Sequence, residues 1–443
     1  MNLEWGHDEG VAPAARVVVR RPRGTQDVLP GTVYVWEYIE DVIRDVCRRY
    51  HYLEVRTPVF EHTELFERTG EATDIVEKQM YTFRDRGGRS LTLRPEGTAP
   101  VVRAYLEALE RPVLPWKVYY LGPMFRHERP QAGRFRQFVQ FGVEAFGSHD
   151  PALDGEVIAL AWELFRRLGL EGLSVHLNSI GCPQCRPSYR ESLLSYFRGR
   201  EGLCPDCLRR LGVNPVRVLD CKEPSCRELV REAPRPTDFL CPDCRTHFAS
   251  VQEFLARMGI PFALDSTLVR GLDYYTRTVF EIVHGALGAQ NSVCGGGRYD
   301  GLVEQLGGDP TPGVGFAAGL ERLITTLELE GKLPPRPAEV QVMVLCADPA
   351  SRPAALDLLY RLRRLGWQAD TDYLGRGLKA QMKHASRLGA PLVVIVGGDE
   401  LAAGEVTLRD MRSGEQVRVT PGLLDEALRR HLAREPSRAE GEP

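Results

Sequence analysis

Apolar side chains recur at helical spacing between Val35 and Tyr50: Val35, Trp36, Ile39, Val42, Ile43 and Val46 share one side, which predicts an amphipathic helix. The next stretch, Tyr52–Phe60, alternates apolar and polar positions as a strand does, and carries Pro58. Residues 116–147 hold two alternating runs, WKVYYLG and FRQFVQFGVEAFG, around the polar loop HERPQAGR, and predict a long antiparallel hairpin with a charged tip. A helix is predicted over Leu153–Leu168 and a strand over Leu173–Leu177. Further strands are predicted at Pro261–Leu268, Tyr274–Val283 and Asn291–Cys294, and a helix at Val314–Leu327. Strands paired in hairpins with helices grouped rather than strictly alternating imply an α+β fold around an antiparallel sheet.

The pattern changes after GKLPPRPAEV (331–340), whose prolines read as a semi-rigid linker. VQVMVLCA follows as a buried-type strand, then a helix over Arg352–Leu365 closed by Gly366, a second strand, a helix and the strand PLVVIVGG. That alternation marks a separate α/β domain. The expected organisation is a loose extension over 1–18, a core over 19–330 interrupted at 180–256, a linker over 331–337, a second domain over 338–432 and a disordered tail over 433–443. The chain carries no internal repeat.

The 443 residues carry 57 basic and 60 acidic side chains, so any nucleic-acid site must be a local patch rather than a general basic coat. No run approaches the ~18 apolar residues of a membrane span. The first residues, MNLEWGHDEGVAPAARVVVR, lack the apolar core of a signal peptide, and a cytoplasmic protein is expected. Of 11 cysteines, eight lie between Cys182 and Cys244. In a large cytoplasmic chain such clustering favours metal over disulfides.

The hairpin loop concentrates Arg126, His127, Glu128, Arg129, Arg134 and Arg136. Guanidinium forks suit phosphate oxygens. A charged tip alone reads as a solvated loop, but Arg126 and Glu128, followed by Phe138, combine a phosphate binder with a carboxylate and an aromatic able to hold the edge and face of an adenine.

Six segments in order carry a resemblance. GPMFRHERPQAGRFRQF is similar to the second motif of class II aminoacyl-tRNA synthetases, and GVGFAAGLERL (313–323) to the third, a glycine-rich strand-to-helix turn ending in Arg322. The first motif corresponds more weakly to the helix through Tyr50 followed by EVRTPVF. LVRGLDYYTRTVFE (268–281) and CGGGRYDGL (294–302), with RGTQDVLP (23–30) and TLRPEGTAPVVR (92–103), resemble the histidyl-tRNA synthetase family. The resemblance spans the chain from about Arg21 through its C-terminal domain, and implies a class II antiparallel-sheet core, a cysteine-rich insertion domain and an α/β anticodon-binding domain.

The resemblance implies ligation of L-histidine to tRNA-His through histidyl-adenylate, with ATP as substrate and Mg2+ as its counter-ion, by a homodimer whose first motif forms the interface. Joining a carboxylate to an α-phosphate brings two anions together, so catalysis is mainly orientation and charge stabilisation. By the same resemblance Arg126 holds the α-phosphate with Arg270 opposite, Arg322 and Arg134 serve the ATP site, Glu128 takes the adenine amino group and Phe138 stacks on the ring. Glu96, Thr98, Gln140, Glu144, Tyr275 and Tyr299 are implied as histidine binders. On a strand, Phe138 and Gln140, and Gln140 and Glu144, share a face. Tyr274 and Tyr275 would point to opposite faces of the predicted strand, so only one would line the pocket. GGGR (295–298) would let the backbone approach the substrate. His127 and His284 receive no role as bases, because a carboxylate nucleophile needs none.

The cysteines fall as Cys182-x2-Cys185, Cys204-x2-Cys207, Cys221-x4-Cys226 and Cys241-x2-Cys244. Three tight knuckles and one looser pair suit structural Zn2+, in two tetrahedral sites or in one with spare thiols; spacing leaves the pairing open. A helical insertion with incidental reduced thiols is the alternative. In the last domain Arg361, Arg363, Arg364, Lys379, Lys383 and Arg387 suit RNA phosphates, and Tyr373 could stack on a splayed base. Two other functions compete. A catalytically silent synthetase-like regulatory subunit of ATP phosphoribosyltransferase would lack the anticodon-binding domain and lose catalytic positions. A zinc-dependent nucleic-acid-binding protein would leave the phosphate-clamping motifs unexplained.

Overall fold

Helix α1 (Pro30–Arg49) buries Val35, Ile39, Ile43, Val46 and Cys47 along one stripe, and starts with a proline where the missing N–H has no helical partner to lose. The computed structural model describes residues 19–70, 76, 79–108, 110, 112–128, 135–285 and 291–433. The expectations for the extension 1–18 and for all but the first residue of the tail lie outside them. The chain divides into two compact units, with the boundary in sequence between Pro334 and Pro335. Among the described residues no helix is long and apolar enough to cross a membrane.

In chain order the first unit continues with β1 (Leu53–Glu54), β2 (Phe60–His62), α2 (Thr63–Glu67), β3 (Tyr81–Arg84), β4 (Ser90–Leu93), α3 (Thr98–Glu107), β5 (Trp116–Phe125), β6 (Gln137–Phe146), α4 (Pro151–Arg167) and β7 (Leu173–Ser179). Helices α5 (Arg186–Phe197), α6 (Pro205–Val213), α7 (Pro224–Arg231) and α8 (Pro242–Arg257) follow. The unit closes with β8 (Phe262–Leu264), β9 (Thr276–His284), β10 (Ser292–Arg298), α9 (Leu302–Gln305), β11 (Gly313–Gly319) and α10 (Leu320–Leu329).

Eight strands form one sheet in the order β1-β5-β6-β11-β10-β9-β7-β8, antiparallel except for the β1–β5 and β7–β8 pairs at its edges. A second, three-stranded sheet runs β2-β4-β3. Strand alternation decides which side of the large sheet is structural. Phe141, Val143 and Ala145 of β6, Phe280 and Ile282 of β9, and Phe316 and Ala318 of β11 face a core filled by α1, α4, α8 and α10. Gln140 and Glu144 of β6 and Gly315 and Ala317 of β11 line a cavity instead. Residues 186–240 build a separate small core from Tyr189, Leu193, Phe197, Val218, Leu219 and Val230, whereas Phe248, Val251 and Leu255 of α8 join the main core.

Several predicted elements differ; the strand expected over Pro261–Leu268 covers only Phe262–Leu264. Tyr52–Phe60 is not one strand: only Leu53–Glu54 and Phe60–His62 pair, in different sheets. Pro58 has no N–H for a ladder. The Arg94 guanidinium donates to the carbonyls of Thr57 at 2.9 Å, Pro58 at 3.4 Å and Pro123 at 2.9 Å, taking the place of a neighbouring strand. Val314–Leu327 is a strand to Gly319 and a helix from Leu320. A central strand covered on both faces reads as a continuous apolar run, which periodicity alone does not separate from a helix. β10 likewise continues past Cys294 through its glycines to Arg298.

The second unit contains β12 (Val342–Cys346), α11 (Arg352–Arg364), β13 (Ala369–Thr371), α12 (Leu378–Arg387), β14 (Leu392–Val396), α13 (Gly398–Ala402), β15 (Val406–Asp410), β16 (Gln416–Val419) and α14 (Leu424–Ala433). Its sheet runs β13-β12-β14-β15-β16, parallel over the first three strands and antiparallel over the last two. One face packs on α11 and α14, the other on α12.

Candidate active site

The non-helical face of the large sheet holds two cavities that share Arg126, Gln140, Arg270, Gly295 and Ala317. The smaller, about 150 Å³, is lined by Glu96, Thr98, Tyr120, Gln140, Glu144, Tyr274, Tyr275 and Tyr299. The larger, about 280 Å³, is lined by Glu128, Phe138, Glu281, Glu321 and Arg322.

The small cavity is carboxylate-rich and enclosed. Glu144 is 1% exposed; its carboxyl accepts from the Thr98 hydroxyl at 2.6 Å and from the Tyr299 hydroxyl. Burial raises its pKa to about 8, against the lowering effect of those hydroxyls, and nearby Glu96 adds to the rise. Glu96 accepts from the backbone N–H of Thr98 at 2.6 Å and of Ala99 at 2.8 Å, at the start of α3, where the helix dipole favours negative charge. Burial still holds its pKa above the usual carboxylate range. Tyr120 donates to Gln140 Oε1 at 3.3 Å.

The large cavity collects guanidiniums. Arg126 follows directly on β5; its Nε donates to the Pro95 carbonyl at 2.8 Å, and its guanidinium lies 5.2 Å from the centre of the Phe138 ring. Arg322 opens α10 and donates to the Ser292 carbonyl at 3.0 Å. Arg270 pairs with Glu281, while its Nε, buried, is among the polar atoms without a protein partner. Burial works against the Arg270 charge, but the facing Glu281 carboxylate together with Tyr275, Cys294 and Asp220 outweighs it and the pKa is raised. Glu321 accepts from the Val139 backbone N–H at 3.0 Å, and burial lifts its pKa to about 7.

Every histidine-site and ATP-site residue expected from the sequence lines one of these cavities, except Arg134, which lies outside the described residues. Arg136 turns away, donating to the carbonyls of Glu128 at 3.4 Å and Arg23 at 3.5 Å. The expectation that only one of Tyr274 and Tyr275 reaches the pocket is corrected: both line it, with ring centres 4.9 Å apart. Both precede β9, so strand alternation does not apply to them. Gly295 lines both cavities, and a Cβ there would overlap the Arg270 guanidinium, as one at Gly315 would the Glu144 carboxylate, so these two glycines also make room for the side chains that line the cavities. Tyr120, Glu281 and Glu321 were not singled out from sequence. Glu281 ends the quoted LVRGLDYYTRTVFE and Glu321 stands beside Arg322, so position within a motif was the available signal.

The eight cysteines are free thiols gathered in two quartets: Cys182, Cys185, Cys241 and Cys244, and Cys204, Cys207, Cys221 and Cys226. In the second unit Arg361, Arg364, Lys379, Lys383, Arg387 and Tyr373 are exposed, and Arg363 is held by the Ala369 carbonyl at 2.9 Å and Asp370 at 3.2 Å.

An antiparallel sheet bearing an arginine-lined cavity that opens onto a carboxylate-and-tyrosine pocket, with a separate mixed-sheet unit behind it in sequence, defines a class II aminoacyl-tRNA synthetase. The chain matches the sequence model "Histidyl-tRNA synthetase" over residues 24–183 and 237–323 and "Anticodon binding domain" over 341–431. It is 58% identical over 406 residues to the histidine–tRNA ligase of Moorella thermoacetica, covering 91% of this chain and 96% of that protein. The histidine–tRNA ligase of Geobacillus kaustophilus is 52% identical over 94% of this chain and 99% of its own. A crystal structure of apo S. aureus histidyl-tRNA synthetase superposes with a TM-score of 0.80 at 39% identity, covering 93% of this chain and all of that one. The chain belongs to the histidyl-tRNA synthetase family.

Proposed function

We propose that this chain is a histidine–tRNA ligase, activating L-histidine with ATP and transferring it to the 3′ end of tRNA-His. The observation that carries the reading is the junction of the two cavities at Arg126 and Arg270. The histidine carboxylate attacks the α-phosphorus, forming a carboxylate–phosphate bond and breaking the bond to pyrophosphate. Negative charge gathers where the cavities meet, at the two guanidiniums that line both. Arg322 serves the far phosphates, Phe138 stacks on adenine and Glu128 accepts from its amino group. Glu281 and Glu321 are oxygen donors of the kind Mg2+ takes, and fit that ion at the phosphates. When bound, it supplies neutralisation of phosphate charge.

In the small cavity Glu96, Glu144, Gln140 and the tyrosine hydroxyls offer acceptors to an α-ammonium and to ring N–H groups. An apolar isostere would leave these buried groups unpaired, which supports selection of histidine without editing. The second unit, with its exposed bases and Tyr373, is assigned to the anticodon. Exposed Leu53, Val59 and Phe60, in the first-motif segment, suit burial in a homodimer. A reduced, cytoplasmic setting fits eight clustered thiols without a disulfide. A silent regulatory subunit is less supported, because Arg126, Arg270, Arg322 and the second unit are all present.

The deciding assay is ATP–pyrophosphate exchange across all twenty amino acids: exchange with histidine alone is expected. Histidine binding without exchange would reverse the reading in favour of the regulatory one.

Glu144 makes a pH prediction. With its pKa near 8, its carboxyl is protonated in the free protein at neutral pH, and binding a cationic group of histidine expels that proton. Histidine affinity therefore rises between about pH 6.5 and 8.5, as the free carboxyl comes to be ionised already. Glu144→Gln flattens this rise and increases the histidine KM by about 10–100-fold, matching the ~1.5–3 kcal/mol of a hydrogen bond to a charged group. A wild-type KM that does not improve with pH would remove Glu144 from this role.

A further inference from the structure

The cysteine-rich insertion is tied to the amino-acid site at both ends of one segment. Within each thiol quartet all four Sγ atoms lie within 4.8 Å of one another. Cys182 is 3.7 Å from Cys185 and 4.0 Å from Cys241, and Cys204 is 3.8 Å from Cys221. Four sulfurs at ~2.3 Å from a tetrahedral zinc stand about 3.8 Å apart, so both quartets have the dimensions of a tetrathiolate site. Backbone N–H groups support the sulfurs: that of Cys241 points at Cys185 Sγ at 3.1 Å, and that of Cys204 at Cys226 Sγ at 3.2 Å. The first quartet closes the root of the insertion, joining the starts of α5 and α8. The second sits within the insertion's own core.

Neighbours of both quartets reach the segment Val269–Tyr275. Val269, next to Arg270, packs in the cluster that contains Cys207, Cys221 and Cys226. Asn214, which caps the turn leading to Cys221, donates to Asp273 at 2.9 Å. Arg186, next to Cys185, donates to the Tyr275 carbonyl. Between Ile180–Gly181 and Arg277 two backbone hydrogen bonds, of 2.8 and 2.9 Å, fix the root of the insertion against the start of β9.

We propose that the eight cysteines bind two zinc ions, paired as these quartets, and that the zinc-bound insertion is a positioning device for Val269–Tyr275, the wall of the amino-acid site that carries Arg270 and both tyrosines. The positioning half rests on the histidine–tRNA ligase reading; the metal half does not. The metal holds thiol-bearing turns in place, and Arg186 and Val269 pass that order to the wall. Arg186 is a positioning residue, since it meets a backbone carbonyl rather than substrate.

Metal content of the full-length protein by mass spectrometry tests the pairing. Two zinc ions per chain are expected. Cys204→Ser with Cys226→Ser removes one, whereas Cys204→Ser with Cys182→Ser removes both. Loss of both from the first double variant, or fewer than two in the wild type purified with zinc, overturns the assignment. Arg186→Ala tests positioning without touching a ligand. It keeps two zinc ions and raises the histidine KM about tenfold while the ATP KM stays put, and Arg186→Lys recovers part of the loss. Cys241→Ser loses the root zinc and raises the histidine KM alike, and adding Arg186→Ala to it makes little further difference. An unchanged histidine KM in Arg186→Ala, or an ATP KM that rises in step, overturns the positioning role. If the wild type shows no histidine-dependent exchange, the ligase reading fails instead. Zinc content is then still decided by mass spectrometry, and calorimetric histidine affinity of Arg186→Ala decides the positioning.

Discussion

Arg270→Ala lowers histidine-dependent ATP–pyrophosphate exchange by about 10²–10³-fold, or ~2.7–4 kcal/mol of transition-state stabilisation, with the fold retained. Arg270 is one of two guanidiniums that line both cavities, and its Nε lies buried without a protein partner, a donor held ready for a ligand. Glu281 holds it from one side, and the missing Cβ of Gly295 leaves it room on the other. Charge that appears only as the carboxylate and α-phosphate join meets this donor in the transition state, so the loss falls on kcat more than on either KM. Arg270→Lys keeps the charge but not the planar fork, and falls between. Gly295→Ala displaces the same guanidinium without deleting it, and lowers exchange in the same sense. Single-turnover adenylate formation, alongside a urea unfolding curve, checks these expectations. Near wild-type activation by Arg270→Ala would overturn the assignment.

Asp154→Ala lowers stability by about 3–5 kcal/mol, the cost of leaving a buried cation without its partner. Asp154 of α4 and Arg298 of β10 are both 0% exposed and ion-paired, with the Arg298 Nε 3.1 Å from Asp154 Oδ2. His247 of α8 stands 3.2 Å from the same carboxylate. Arg298 also donates to the Ser148 carbonyl at 2.9 Å and to Asp300 at 3.1 Å, which keeps part of its charge compensated. Although burial opposes it, Arg298 and His247 lower the Asp154 pKa to about 2. A depressed folded-state pKa means that this stabilisation is complete above the ordinary carboxylate value and is lost as pH falls toward about 2. Chemical unfolding at neutral pH measures the loss, which Asp154→Asn reduces by keeping a hydrogen-bond acceptor. A change below about 1 kcal/mol would show that the ion pair does not anchor α4, α8 and the sheet to one another.

Much of the site was legible because its residues are local to motifs. Arg126, Glu128 and Phe138 flank one loop, and Gln140 and Glu144 follow on the same strand, so spacing alone places them on one face. Arg298 sits inside CGGGRYDGL and its type stands out, yet its partner Asp154 is 144 residues away and looks like an ordinary first-turn acid of α4. The tyrosines at 274 and 275 were misplaced because the strand was started too early. Two residues of boundary decide whether alternation or loop geometry governs a side chain.

The sequence by itself determined the α+β class, the hairpin with its arginines, the change to a separate second unit near the proline-rich linker and the chemistry on offer. Each of these rests on local periodicity, composition or motif order. Only the tertiary structure decided which carboxyls burial lifts above the usual carboxylate range, as it does Glu144, since desolvation comes from chain that is distant in sequence. It also decided how four cysteine pairs divide into two quartets: Cys182 meets Cys241 across 59 residues, while Cys204 meets Cys221 across 17. Spacing constrains only neighbours along the chain, and the distance between two separate turns is set by the helices packed between them.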